Sequence, residues 1–79
     1  MQCFICERPI QTDDVAVHDA TIWQTHGNYG SRAYDPAVDS KHLEVAICDD
    51  CLVTRKHLVE EVVTVHRIEE ISRRPPELP

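Results

Sequence analysis

An α+β fold is what the sequence predicts, and three observations predict it. Identical Cys-x-x-Cys pairs stand at residues 3–6 and 48–51, β-branched and aromatic residues gather between them, and Leu52 to Ile71 runs without glycine or proline. A chain of 79 residues allows one small domain whose hydrophobic core alone supplies little stability, so the cysteines are expected to staple it. The expected molecule is a single domain over residues 1–72, with a β-hairpin in the middle and a long C-terminal helix packed over it. Residues 73–79 are expected to form a flexible Pro-rich tail.

The cysteines come first. Cys3-Phe4-Ile5-Cys6 and Cys48-Asp49-Asp50-Cys51 use all four, with none left over. A two-residue gap lets a tight turn aim both sulfurs and several backbone amides at one point, which makes half of a tetrahedral site with Zn–S near ~2.3 Å. Two such knuckles complete it, so Cys3, Cys6, Cys48 and Cys51 are read as ligands of Zn2+; iron is the other metal that a tetrathiolate holds. A disulfide framework belongs to secreted chains, and the N-terminus Met-Gln-Cys-Phe-Ile-Cys lacks the basic and apolar regions of an export signal. A thioredoxin-like redox motif needs a strand feeding its Cys-x-x-Cys, for which Cys3 leaves no room.

Along the chain, Glu7-Arg8-Pro9-Ile10 reads as a turn leading out of the first knuckle, and Thr12-Asp13-Asp14 as a turn or a helix cap. Val15 to Thr25 is rich in valine, isoleucine and threonine and predicts one or two strands, centred on Thr21 to Thr25. Trp23 is read as the chief anchor of a thin, aliphatic core, since Phe4, Tyr29 and Tyr34 are the only other aromatic residues. The only glycines bracket Gly27-Asn28-Tyr29-Gly30-Ser31, which implies backbone with φ > 0 or unusually close approach.

Residues 32 to 41 read as loop. His42 to Ile47 alternates, with Leu43, Val45 and Ile47 on one side and His42, Glu44 and Ala46 on the other, the pattern of a half-buried strand that feeds Cys48. His26 and His42 then end the two strands and face one another across the hairpin mouth. Asp49 and Asp50 suit a helix N-terminus, and Leu58, Val62 and Val65, widened by Leu52, Val59 and Val63, mark a broad helical face. Val62-Val63-Thr64-Val65 is β-branched enough to make a strand instead. In the helix, His57 with Glu61 and His66 with Glu70 would be solvated i, i+4 pairs.

The four cysteines, as a knuckle, a hairpin and a second knuckle opening a helix, resemble treble-clef zinc domains, with zinc ribbons the nearest alternative. The 41 residues between Cys6 and Cys48 exceed the usual spacing and imply a longer hairpin or an extra strand pair. Gly27 to Ser31 with Asp35, followed by Ile47-Cys48-Asp49-Asp50-Cys51-Leu52, also resembles small uncharacterised zinc-binding proteins of bacteria and phages. The resemblance implies metal binding and leaves the biochemistry open, because such folds host unrelated functions.

Composition narrows function. Fourteen acidic residues against eight basic give a formal charge of −6, and a tetrathiolate zinc site would take it to −8. Uniform attraction to phosphate backbones is thereby disfavoured. No run of about 18 apolar residues could span a membrane, and the expected location is cytoplasmic. Four thiolates leave a metal no open position for water or substrate, so the zinc is expected to be structural and the protein not an enzyme.

Function then falls to the surface. The expectation is a protein-binding or regulatory adaptor whose contact loop includes Asn28, Tyr29, Ser31 and Tyr34; a purely structural turn is the other reading of Gly27 to Ser31, and phosphate cradling a weaker one, because the loop lacks a P-loop lysine. The alternative is a ribbon-like nucleic-acid binder using Arg55, Lys56, Arg67, Arg73 and Arg74, diluted by Glu60, Glu61, Glu69 and Glu70 on the same segment. Homodimerisation through the valine-rich helix fits either. Arg73-x-x-Pro76-x-x-Pro79 matches a polyproline ligand, a pattern common by chance.

Overall fold

The computed structural model of the chain describes residues 1–36, 40–65 and 70–79. The chain divides into two compact units, Met1–Asp49 and Asp50–Pro79.

The first unit begins with a miniature hairpin whose tip is the first knuckle. Gln2 bridges Pro9, the Cys3 N–H donates to the Arg8 carbonyl at 2.8 Å, and the Ile10 N–H donates to the Met1 carbonyl at 3.0 Å. Glu7 turns the chain with φ 64°, a left-handed conformation that glycine adopts more cheaply. A second tight turn follows. The Asp13 carboxylate accepts from the Val15 and Ala16 amides, both at 2.8 Å, while Thr12 bridges Val17, which makes the expected turn an Asx-type one. His18 Nε2 lies 2.7 Å from the other Asp13 oxygen. This pairing first, and then the two amides, holds the Asp13 carboxyl below its ordinary range.

β1 (Ala20–Thr25) and β2 (Leu43–Cys48) form the expected hairpin, antiparallel, in a register running from Ala20 opposite Cys48 to Thr25 opposite Leu43. The N-terminal knuckle docks on β2: Cys3 bridges Ala46, and the Phe4 N–H donates to the Ala46 carbonyl at 2.7 Å. Ala46 is fully buried, and with Cys3, Cys48 and Ile10 it makes up the buried hydrophobic set among the described residues.

That packing corrects two expectations. The closed face of β2 carries Ala46 and Cys48, whereas Leu43, on the side expected to be buried, is 48% exposed. The knuckle pairs by its backbone along the edge of β2 away from β1, at Ala46, whose side chain is fully buried. Trp23 is not the core anchor: it is 39% exposed, with its indole N–H donating to Thr21 Oγ1 at 2.7 Å.

The long C-terminal helix is overturned, and the treble-clef-like α+β assignment with it. α1 covers Asp49–Thr54 only, a 3-10 turn follows at Lys56–Leu58, and the segment expected to continue the helix forms a second antiparallel hairpin of β3 (Glu61–Val65) and β4 (Glu70–Arg74). Among the described residues there are four strands in two separate two-stranded sheets, one α-helix of six residues and one 3-10 turn.

The physical reasons are local and tertiary together. Thr54 Oγ1 bonds back to the Asp50 carbonyl at 2.8 Å and the next turn tightens to 3-10 bonds, with Leu58 N–H to Arg55 and Val59 N–H to Lys56. Beyond it, the β-branched run favours pleated structure once a partner strand exists. The register sets Glu61 opposite Arg74, and the two side chains pair; Arg73 reaches Glu60 at 2.9 Å. Arg73 and Arg74, placed in the tail by the sequence reading, are strand residues. His57 lies in the 3-10 turn and Glu61 in β3, so their helical pairing does not form. His66, Arg67 and Glu69 lie outside the described residues.

Candidate metal centre

The two knuckles bring four sulfurs together. One ligand atom from each of Cys3, Cys6, Cys48 and Cys51 lies within 4.8 Å of all the others, and among the described residues this is the group of cysteine, histidine and acidic side chains close enough to hold a metal ion. Local structure explains each position. Cys3 and Cys6 occupy the tip of the N-terminal hairpin, Cys48 ends β2, and Cys51 lies three residues on, in the first turn of α1. The Asp49 N–H is anchored by the Asp19 carbonyl at 2.8 Å, which fixes the angle at which β2 passes into the helix.

A tetrahedral ion with Zn–S near ~2.3 Å has sulfur–sulfur edges of about 3.8 Å. Cys6 Sγ and Cys48 Sγ, one from each knuckle, lie 3.8 Å apart. None of the four is in a disulfide. The donor set and the spacing both fit a metal ion.

Backbone amides prepare the sulfurs for it. The Ile5 and Cys48 N–H groups each donate to Cys3 Sγ at 3.4 Å. The Cys48 amide contributes most, with those of Cys6 and Ile5 assisting against the opposing effect of burial, and together they pull the Cys3 thiol from 9.0 down to about 6. A thiolate is what a metal requires. Cys3 and Cys48 are buried, Cys51 half-buried and Cys6 exposed, so the centre has an inner edge sealed by protein and an outer edge at the surface.

The loop expected to contact a partner divides into structural and exposed parts. Gly27 (φ 82°) passes so close to the Tyr34 carbonyl and Pro36 that a Cβ would lie 2.5 Å and 2.9 Å from them. The Ser31 N–H donates to the Asn28 carbonyl at 3.0 Å around Gly30 (φ 103°), and Ser31 Oγ accepts from the Ala33 and Tyr34 amides. Ser31 therefore braces the loop. Asn28 Nδ2 reaches the Tyr29 carbonyl at 3.3 Å, Tyr34 is half-buried, and the Tyr29 side chain is 98% exposed. His26 and His42 do face one another, with ring centroids 5.5 Å apart, and His42 Nε2 lies 3.3 Å from Glu44 Oε1.

Two further surfaces were not foreseen as such. In the first unit, Phe4, Trp23, Gln24, Thr25, Leu43 and Val45 line an apolar groove of about 330 Å³. The signal was Trp23 and Thr25 alternating on β1, legible once the register sets them opposite Val45 and Leu43. In the second unit, Lys56, His57, Val59, Glu60, Arg73, Arg74 and Pro75 line a groove of about 470 Å³. Its cations were visible as a cluster in the sequence, but the hairpin that gathers them was not. No helix among the described residues is long and apolar enough to cross a membrane.

Compared with known proteins, the chain matches no family model, no curated protein and no solved structure.

Proposed function

We propose that this chain is a structural zinc domain that works as a protein-binding adaptor. The observation that carries the reading is the sulfur cluster: all four cysteines converge within 4.8 Å, so a bound ion has its coordination filled by protein. Zinc suits four thiolates in tetrahedral geometry and lacks redox chemistry of its own. With the ion closed off in this way, recognition falls to side chains that the small core leaves outside, notably Phe4 at 70% exposure and Tyr29 at 98%. Aromatic residues of this kind anchor protein interfaces.

The test has two parts. Protein purified without a metal-binding tag is expected to carry one equivalent of zinc by elemental analysis and native mass spectrometry, and its cobalt form to give the absorption of a tetrahedral thiolate site. Affinity capture from the native host is expected to retain a stoichiometric protein that survives nuclease treatment. A metal-free protein with full native structure would refute the first part, and capture of nucleic acid alone would refute the second.

A second reading has its own observation. The groove bounded by Lys56, Arg73 and Arg74 could accept a nucleic-acid phosphate, and binding there would fall linearly with the logarithm of salt concentration. Glu60 and Glu61 already engage the two arginines, which reduces that attraction.

A further inference from the structure

We infer that the free edge of β1 pairs with β1 of a second copy of this chain about a two-fold axis at Ile22, joining two β1–β2 hairpins into one antiparallel sheet of four strands. The inference is independent of the adaptor reading and concerns the first unit alone.

The ladder shows which backbone groups of β1 are free. The Asp49 N–H donates to the Asp19 carbonyl at 2.8 Å, so Asp19 and Asp49 form a hydrogen-bonded pair just outside the two strands. Such pairs alternate along an antiparallel ladder, and the register carries the alternation to Thr21 with Ile47, Trp23 with Val45 and Thr25 with Leu43. The residues between them, Ala20, Ile22 and Gln24, therefore point their N–H and C=O groups away from β2. The other edge of the sheet obeys the same rule: Ala46, opposite Ile22, turns its carbonyl outward, where it accepts from the Phe4 N–H at 2.7 Å. The knuckle thus covers the outer edge of β2. Among the described residues no strand or bridge covers that of β1, and Thr21 to Thr25 are all exposed.

Natural edge strands commonly carry a lysine, a proline or a bulge that prevents pairing. Ala-Thr-Ile-Trp-Gln-Thr has no charge and no proline, and its register with β2 runs without a break. It also bears a large apolar side chain on each face, Ile22 at 40% and Trp23 at 39% exposure, so pairing adds apolar burial on both sides of the ladder.

The strand is complementary to itself. A two-fold axis at Ile22 sets Ala20 opposite Gln24 of the second copy, Thr21 opposite Trp23, and Ile22 opposite its own counterpart. Small meets large at each flanking position, and every outward residue of the strand exchanges both of its hydrogen bonds. Moving the axis to Trp23 would leave Ala20 without a partner in the strand and set the two indoles against each other. Charge permits the contact although the molecule as a whole repels its copy. Each chain carries a formal charge of −6, yet the paired strands hold no charged residue, and Asp19 falls opposite Thr25 rather than another acid. The repulsion is therefore long-range and screened by salt. Six residues a side fall well below the roughly 20–30 of a standard interface, so the dimer dissociates in the micromolar range.

The experiment is sedimentation velocity on the zinc-loaded full chain under reducing conditions, from about 10 μM to about 1 mM, with the emission of Trp23, the one tryptophan, followed over the same range. A monomer–dimer equilibrium is expected, shifted toward dimer by added sodium chloride and accompanied by a blue shift of the emission. Ile22→Lys and Ile22→Glu should each raise the dissociation constant about tenfold or more by setting like charges face to face, whereas an equimolar mixture of the two should recover a heterodimer. Gln24→Pro should weaken the dimer about tenfold as well, since it removes an outward N–H and leaves the bonds to β2 in place. Unchanged zinc stoichiometry reports that each variant is folded, and Val62→Lys, on the second hairpin, should leave the dimer intact. A monomer at about 1 mM, a dimer that Val62→Lys disrupts and Ile22→Lys does not, or failure of the mixed Ile22 variants to associate would each overturn the inference.

Discussion

Cys6→Ser separates a metal centre from a mere cluster of packed thiols. Cys6 is exposed and contributes no packing that a serine would not, so in a thiol cluster the exchange should change stability by no more than about 0.5 kcal/mol. As a ligand it carries a share of the ion's binding free energy. Structural zinc supplies about 10–16 kcal/mol, or roughly 3 kcal/mol for each of four sulfurs if shared evenly, against a total stability of about 4–12 kcal/mol for a chain of this length. Among the described residues the other buried apolar side chains are Ile10, which offers about 2 kcal/mol, and Ala46, which offers less, so they do little to offset the loss. Thermal melting under reducing conditions with stoichiometric zinc, followed by circular dichroism, should show Cys6→Ser destabilised by about 3 kcal/mol or more. With a strong chelator, wild type and variant should lose their cooperative transition together. A Cys6→Ser melt within about 0.5 kcal/mol of wild type would refute the metal reading at its root.

Three more outcomes follow from the geometry. Gly27→Ala should cost about 2–3 kcal/mol, because positive φ is joined by a Cβ 2.5 Å from the Tyr34 carbonyl, whereas Gly30→Ala, with open space around it, should cost about 1 kcal/mol; paired melting curves that reverse this order would show the loop to be arranged otherwise. Ala46→Leu should cost about 1–3 kcal/mol and lower zinc affinity, since Ala46 is fully buried beside the ligand Cys3; isothermal titration with zinc measures it, and unchanged affinity would show that the site does not depend on packing at Ala46. The Cys3 thiol, held down to about 6, contributes stability that is complete above its unfolded value of 9.0 and lost as pH falls through the folded one. Acidification should therefore favour metal release, followed by the cobalt–thiolate absorption, and Ile5→Pro, which removes an amide donor to Cys3, should move the onset to higher pH; an unmoved onset would show that this amide has no part in holding the thiolate.

The cysteines and the first hairpin were legible in the sequence because their information is local. Two-residue gaps between cysteines dictate knuckles wherever they occur, and the alternation from Leu43 to Ile47, with β-branched residues around Ile22, dictates strands without reference to the rest of the chain. Which face of β2 closes was another matter. It depends on where the knuckle pairs along the free edge of β2, and that backbone pairing at Ala46 forms only once the first unit has folded. Trp23 stays partly outside because, among the described residues, its face of the sheet forms one wall of an open groove shared with Phe4, Leu43 and Val45. The segment after Thr54 was undetermined locally, because Leu58, Val62 and Val65 fit a helical stripe while Val62 to Val65 fit a strand. Pairing with Glu70–Arg74 decided it, since cross-strand hydrogen bonds and the Glu61–Arg74 pair exist only when partners five to thirteen residues away in sequence are already in place.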